Sequence, residues 1–195
     1  MNRRLVIFDL DGTLTVPTLD FDAIRREIGL VSGPILEQLD GLDAKQRAHA
    51  ESIIDAHEEL AARTAVLQEG ALEMLARLRS QGFALAVLTR NARRRVEHVL
   101  DRFEIAVDAM RTRDDGAIKP SAAPVLSLCE QLMAEPARSW MVGDYLFDVL
   151  SGKQAGARTV LMIGDLPTPA YAAEADYVIR RLAELPGIVA AIPTA

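Results

Sequence analysis

The sequence predicts an α/β protein with an open parallel sheet and a small all-α insertion after the first strand. Three observations carry this. Short apolar runs such as Leu5-Val6-Ile7-Phe8 are continuous rather than alternating, as in strands buried on both faces of a parallel sheet. Amphipathic stretches separate these runs, several closing on a glycine just past the helix. One long segment, Val16 to Gln68, breaks the alternation with helical patterns only.

In chain order, Leu5 to Phe8 forms the first strand and lands on Asp9 and a turn at Gly12. The insertion follows. Phe21, Ile24 and Ile28 lie on one helical face, and Ile35, Leu36 and Leu39 form a second short stripe. Asp43 to Arg63 is a long third helix, with Ile53, Ile54, His57 and Leu60 as its apolar stripe and His57 expected in the core. Gly29, Gly33-Pro34 and Gly41 punctuate these helices. The alternation then resumes with a helix over Ala71 to Ser80, a strand from Phe83 to Leu88 ending at Thr89, and a helix over Arg93 to Arg102. A helix over Ala122 to Met133 precedes a strand at Trp140-Met141-Val142, which ends at Gly143-Asp144. Asp148 to Gln154 is helical, Thr159 to Ile163 a strand, and Asp176 to Ile179 a last strand. A final helix over Leu182 to Ile192 is interrupted by Pro186-Gly187. The domain reading is a core of residues 1–15 and 69–195 and an insertion of residues 16–68.

Composition removes several function classes. Half of the 195 residues are hydrophobic and 26% are charged, which excludes a disordered chain. A chain of this length buries roughly 70% of its unfolded surface and needs no disulfide or zinc staple. The net charge of −6 argues against a nucleic-acid partner, whose phosphates demand a basic face. Cys129 is the single cysteine, so an intramolecular disulfide and a cysteine-cluster metal site are both excluded. The longest apolar runs fall far short of the roughly 20 residues of a membrane span. The stretch behind Asn2-Arg3-Arg4 stops at Asp9, too early for a signal peptide. A cytoplasmic protein is expected; its oligomeric state is not legible.

In an open parallel sheet, ligands sit beyond the carboxyl ends of the strands. Asp9, Asp11, Thr89, Asp144 and Asp148 lie at those ends, and Lys119, before Pro120, is the one basic residue added to them. Each has an ordinary reading by itself. Asp-x-Asp-Gly occurs in turns and calcium loops, Asp148 suits a helix's first turn, Thr89 ends a strand, and Lys119 fits a solvated loop. Together they form an acidic cluster that repels itself unless a cation is present. Oxygen-only ligands favour Mg²⁺ over zinc or copper, and Mg²⁺ in turn recruits phosphate.

Phe8-Asp9-Leu10-Asp11-Gly12-Thr13-Leu14, Leu88-Thr89, Lys119-Pro120 and Val142-Gly143-Asp144-Tyr145-Leu146-Phe147-Asp148-Val149 resemble the four ordered motifs of the haloacid dehalogenase-like (HAD) hydrolases. The resemblance covers the whole chain. It implies a Rossmann-like core with a helical cap after the first motif, as in the phosphoglycolate-phosphatase-like branch. By this resemblance Asp9 is the nucleophile and Asp11 the acid/base. Thr89 holds phosphoryl oxygens and Lys119 neutralises nucleophile and phosphate. Asp9, Asp11, Asp144 and Asp148 form the Mg²⁺ site, Asp148 acting through water or by orienting Lys119. Backbone N–H groups near Leu10 and Asn91 would join the phosphate site, and Arg90 would touch substrate.

The implied reaction is Mg²⁺-dependent hydrolysis of a small phosphorylated metabolite through an aspartyl-phosphate, which is covalent catalysis by a carboxylate. Asp11 separates this from dehalogenation, where halide leaves unprotonated. Lys45, the only lysine of the insertion, reads as a solvated helix residue rather than the Schiff-base lysine of a phosphonatase. Arg25, Arg26 and Arg63 could meet a second anionic group of the substrate, and His49 or His57 could hydrogen-bond one, although arginines on amphipathic helices are usually solvated. A phosphomutase of the same family, and a regulatory or non-catalytic module on this fold, are the alternatives. Relative to the family, the insertion is shorter than the branch's usual cap, and Pro-Ser-Ala-Ala-Pro follows Lys119 in place of Pro-x-Pro.

Overall fold

A computed structural model describes residues 3–191. The chain divides into two compact units, one running to Pro17 and resuming at Val66, the other Thr18–Ala65. In chain order the elements are β1 (Arg3–Phe8), α1 (Phe21–Ile28), α2 (Ile35–Gln38), α3 (Ala44–Thr64), α4 (Ala71–Ser80), β2 (Phe83–Leu88) and α5 (Arg93–Arg102). There follow β3 (Ala109–Arg111), α6 (Ala123–Gln131), β4 (Ala134–Gly143), α7 (Leu146–Ala155), β5 (Arg158–Met162), β6 (Tyr177–Ile179) and α8 (Leu185–Ala190).

The larger unit is a six-stranded, all-parallel sheet in the order β3-β2-β1-β4-β5-β6. Leu5, Val6, Ile7 and Phe8 are all fully buried, which is why the first strand reads as an unbroken apolar run. Leu5, Ile7, Ala86 and Met141 pack against Val125, Leu128 and Cys129 of α6 in one cluster. The chain builds β1, β2 and β3 outward in one direction, then returns to place β4 on the other side of β1. The gap beyond β1 and β4 is therefore the point where strand order reverses, the standard ligand crevice of such sheets.

The smaller unit holds α1, α2 and α3 around Ile24, Ile35, Leu39, Ala50 and Ile54. Asp20 caps α1 through the Ala23 N–H at 2.8 Å. Asp43 and Gln46 cap α3 reciprocally: the Gln46 N–H donates to the Asp43 carboxylate and the Asp43 N–H to the Gln46 side chain.

The structure departs from the sequence reading in a few elements. Strand β3 went unread because it is a three-residue edge strand whose only buried residue is Ala109. Strand β4 is ten residues long, but only its second half is buried, so only Trp140 to Val142 stood out as apolar. The buried stripe of α3 is Ala50, Ile54, Glu58, Ala61 and Ala62. Leu60 is 62% exposed, and His57 is half-buried with its Nε2 3.1 Å from the Glu27 carboxylate instead of sitting in the core. The final helix is confined to Leu185–Ala190 behind a single turn at Leu182–Glu184, and Ile192 lies outside the described residues.

Candidate active site

The two central strands deliver two carboxylates to the crevice. Asp9 follows β1, and its N–H extends the ladder to the Val142 carbonyl at 2.9 Å. Asp144 follows β4 directly. Asp148 enters from the first turn of α7, where its Oδ2 accepts the Tyr145 N–H at 3.0 Å. Oxygens of Asp9, Asp144 and Asp148 all lie within 4.8 Å of one another. Two glycines permit this approach. A Cβ on Gly12 would stand 2.1 Å from Asp144 Oδ2, and one on Gly143 would stand 2.1 Å from Asp148 Cγ. Gly12 also takes a φ of +83°, which side-chain-bearing residues rarely adopt.

Lys119 supplies the opposing charge. Its Nζ donates to Asp148 Oδ1 at 2.6 Å and lies 2.8 Å from Asp9 Oδ1. The side chain is 2% exposed. Burial alone would drive the ammonium toward neutrality, but the Asp148 and Asp9 carboxylates outweigh it and hold its pKa above the usual lysine value. The carboxylates feel the reverse. Burial, then the negative Asp9 and Asp148, pushes Asp144 up to about 8. Burial also raises Asp148, to about 6, even though Lys119 pulls it down.

The two oxygens of Asp9 differ. Oδ1 accepts the Leu10 N–H at 2.7 Å and faces Lys119. Oδ2 has no hydrogen-bond partner among the described residues, and neither has the Asp144 carboxylate outside its own backbone. Half-buried carboxylate oxygens without donors, clustered where burial and the neighbouring carboxylates disfavour the charge of Asp144, fit a hard divalent cation such as Mg²⁺. Asp9 and Asp144 would hold it, with Asp148 at its flank, since both Asp148 oxygens already accept hydrogen bonds.

Asp11 is not in that cluster. Its Oδ2 accepts a short hydrogen bond from the Asn91 side-chain amide, and Thr15 Oγ1 lies 3.5 Å from Oδ1. Thr89, 3% exposed at the end of β2, accepts the Asn91 N–H at 3.3 Å. The backbone N–H and the side-chain amide of Asn91 each donate within the protein, and the Asn91–Asp11 link has no signal in the sequence. Arg90 donates to the Lys119 carbonyl at 3.1 Å and lies over the Phe147 ring at 4.9 Å. Arg113 in turn donates to the Arg90 carbonyl. These contacts join the segments that carry Thr89, Lys119 and Asp148.

The sheet order, the crevice and the carboxylate–lysine cluster define a class of protein that the comparisons then name. Residues 15–162 match the family described as haloacid dehalogenase-like hydrolase, and the chain belongs to that family. It is 31% identical to a haloacid dehalogenase-like hydrolase domain-containing protein of Arabidopsis thaliana, across 82% of this chain and 70% of that protein. It is 30% identical to a phosphoglycolate phosphatase of Psychrobacter arcticus, across 82% and 83% of the two chains. Among solved structures, a hydrolase from Pseudomonas syringae superposes with a TM-score of 0.82 at 19% identity, covering 98% and 100% of the chains, which shows a shared fold. Among the described residues no helix is long and apolar enough to cross a membrane.

Proposed function

We propose that this hydrolase is a phosphatase that cleaves a small phosphate monoester through an aspartyl-phosphate, with Asp9 as nucleophile. The observation that carries the reading is the setting of Asp9: it stands at the crevice at the end of β1, with its carboxylate held by the Leu10 N–H and Lys119 beside Asp144. Similarity to the phosphoglycolate phosphatase supports the phosphate chemistry.

In the first step Asp9 attacks phosphorus through a carboxylate oxygen and the ester oxygen leaves with a proton from Asp11. Asn91 holds the Asp11 carboxylate in place for that transfer. In the second step Asp11 takes a proton from water, which attacks the acyl phosphate and regenerates Asp9. Lys119 and the Thr89 hydroxyl stabilise the charge spread over the transferring oxygens. A bound Mg²⁺ would supply charge neutralisation at the phosphoryl oxygens. Arg90 acts through the Lys119 carbonyl and Asn91 through Asp11, each as a positioning residue.

The test is acid quench during turnover of a phosphate monoester, followed by peptide mass spectrometry. A phosphoryl adduct on the peptide containing Asp9 is expected, absent in Asp9→Asn. An adduct mapped to another residue, or full turnover by Asp9→Asn, would refute the assignment.

A further inference from the structure

We propose that a cavity on the flank of Asp144 is a second binding site, which holds a small organic anion (carboxylate or phosphate on an apolar body) against the Arg180 guanidinium. The cavity has a volume of about 420 Å³ and lies wholly within the larger unit. That is within the roughly 300–1,000 Å³ typical of small-molecule sites. Gly12 and Asp144 border it on the side of the reaction centre; Arg180, Arg181, Tyr171 and Leu166 border it elsewhere.

The two arginines are not equivalent. Arg181 is neutralised by the Asp165 carboxylate at 2.7 Å. Arg180 is not: its Nη1 donates to the carbonyls of Gly164 at 2.8 Å and Leu166 at 3.3 Å, and no carboxylate among the described residues pairs with its guanidinium. The backbone therefore fixes the head while Nε and Nη2 keep their hydrogens unassigned within the described chain. A fixed guanidinium edge matches the paired oxygens of a carboxylate or phosphate. The Tyr171 hydroxyl adds a second polar group with no partner in the described chain, its ring braced 5.8 Å from that of Tyr145. Buried Ile163 and Leu182 supply apolar wall. One preset cation, one hydroxyl and apolar walls select an organic anion over a cation or a neutral polar ligand. Glu69 at the rim is exposed, so water and salt screen its opposing charge; Asp165 is paired with Arg181, and the charge of Asp144 would be offset by a bound Mg²⁺.

Such an anion has two sources, the substrate's own leaving group or a separate effector; the first rests on the phosphatase reading, the second does not. The experiment compares the wild type with Arg180→Ala, Arg180→Lys and Leu166→Trp, all in Mg²⁺. Leu166 is 69% exposed, so tryptophan there narrows the cavity without disturbing the core. Two readouts are taken: the ratio of kcat/KM for phosphoglycerate to that for glycerol phosphate, and malonate binding by calorimetry, which requires no turnover. A charge-assisted contact is worth about tenfold or more. If the substrate fills the cavity, the ratio falls by about that factor in Arg180→Ala and Leu166→Trp, and less in Arg180→Lys. If an effector fills it, the ratio holds while malonate binds the wild type and binds Arg180→Ala about tenfold more weakly. An unchanged ratio together with malonate binding that is absent, or equal in wild type and Arg180→Ala, overturns the proposal.

Discussion

Replacing Lys119 with methionine keeps the volume of a fully buried side chain and deletes the ammonium that, among the described residues, pairs with both Asp9 and Asp148 within 3 Å. Asp9, Asp144 and Asp148 would then face one another within 4.8 Å with no opposing charge. Breaking a buried ion pair by removing one partner typically destabilises by about 3–5 kcal/mol. At roughly 2–4 °C per kcal/mol for a domain of this size, the melting temperature should fall by about 6–20 °C in metal-free buffer near pH 8. The loss should depend on pH. With Lys119 present Asp148 already sits at about 6, and deleting the ammonium raises it further. A carboxylate whose folded pKa lies above its unfolded value binds more protons folded than unfolded, so it destabilises above the folded pKa and relents as pH falls. The deficit should therefore shrink clearly between pH 8 and pH 5. Melting curves followed by circular dichroism at both pH values, with chelator present, would measure it. A deficit below about 1 °C, or one equal at pH 5 and pH 8, would refute the reasoning. Turnover should fall roughly 10²- to 10³-fold or more, the scale on which a single transition-state donor is worth.

Asp11→Asn should lose far more single-turnover rate on an alkyl phosphate than on nitrophenyl phosphate, because only the alkoxide needs a proton to leave; general acid catalysis is worth about 10²- to 10⁴-fold. Equal losses on both substrates would remove Asp11 from the acid role. Gly12→Ala places a methyl 2.1 Å from Asp144 Oδ2 at a φ of +83°, so Asp144 must swing away and Mg²⁺ affinity, measured by calorimetry, should drop at least about tenfold. Retained affinity would show that Asp144 does not hold the ion. Gly152→Ala places its Cβ 2.7 Å from Thr159 Cγ2 and 2.8 Å from Met141 Cβ, an overpacking worth about 1–3 kcal/mol. It should lower the melting temperature by roughly 2–12 °C; an unchanged melting curve would mean that the strand–helix packing there is slack.

The positions of Asp9 and Asp144 are legible because each ends an apolar run, which in a parallel sheet puts both at the carboxyl edge of the strands. Lys119 is added to the strand-end acids as the one basic candidate and fits a family motif, but nothing local distinguishes it from a solvated loop lysine, although it is 2% exposed. Asn91 illustrates a different limit. Its bond to Asp11 spans 80 positions of sequence and depends on how two loops meet, which no local pattern encodes. Arg90 follows Thr89, which points it toward substrate, whereas in the structure Phe147 and the Lys119 carbonyl engage its side chain. In α3 the buried face is Ile54 with three alanines and Glu58, residue types too small or too polar to mark a core stripe in the sequence.

The two chain crossings that bound the smaller unit are joined to each other within the larger one. The Val16 N–H donates to the Val66 carbonyl at 2.8 Å, the Gln68 N–H to the Leu14 carbonyl at 2.9 Å, and Thr15 bridges Leu67 in antiparallel fashion. Gln68 also reaches the Gly12 carbonyl with its side chain at 3.3 Å. Seen from the sheet, the insertion is thus a closed loop whose neck is zipped before the helices begin, and the entropy of bringing its ends together grows only as the logarithm of its length. Everything beyond that neck can lengthen, shrink or be exchanged with little effect on the turn that carries Asp9 and Asp11. The turn is thereby buffered against changes in its own insertion, so such a scaffold can take on a different insertion by loop replacement while the Asp9 carboxylate stays where it is.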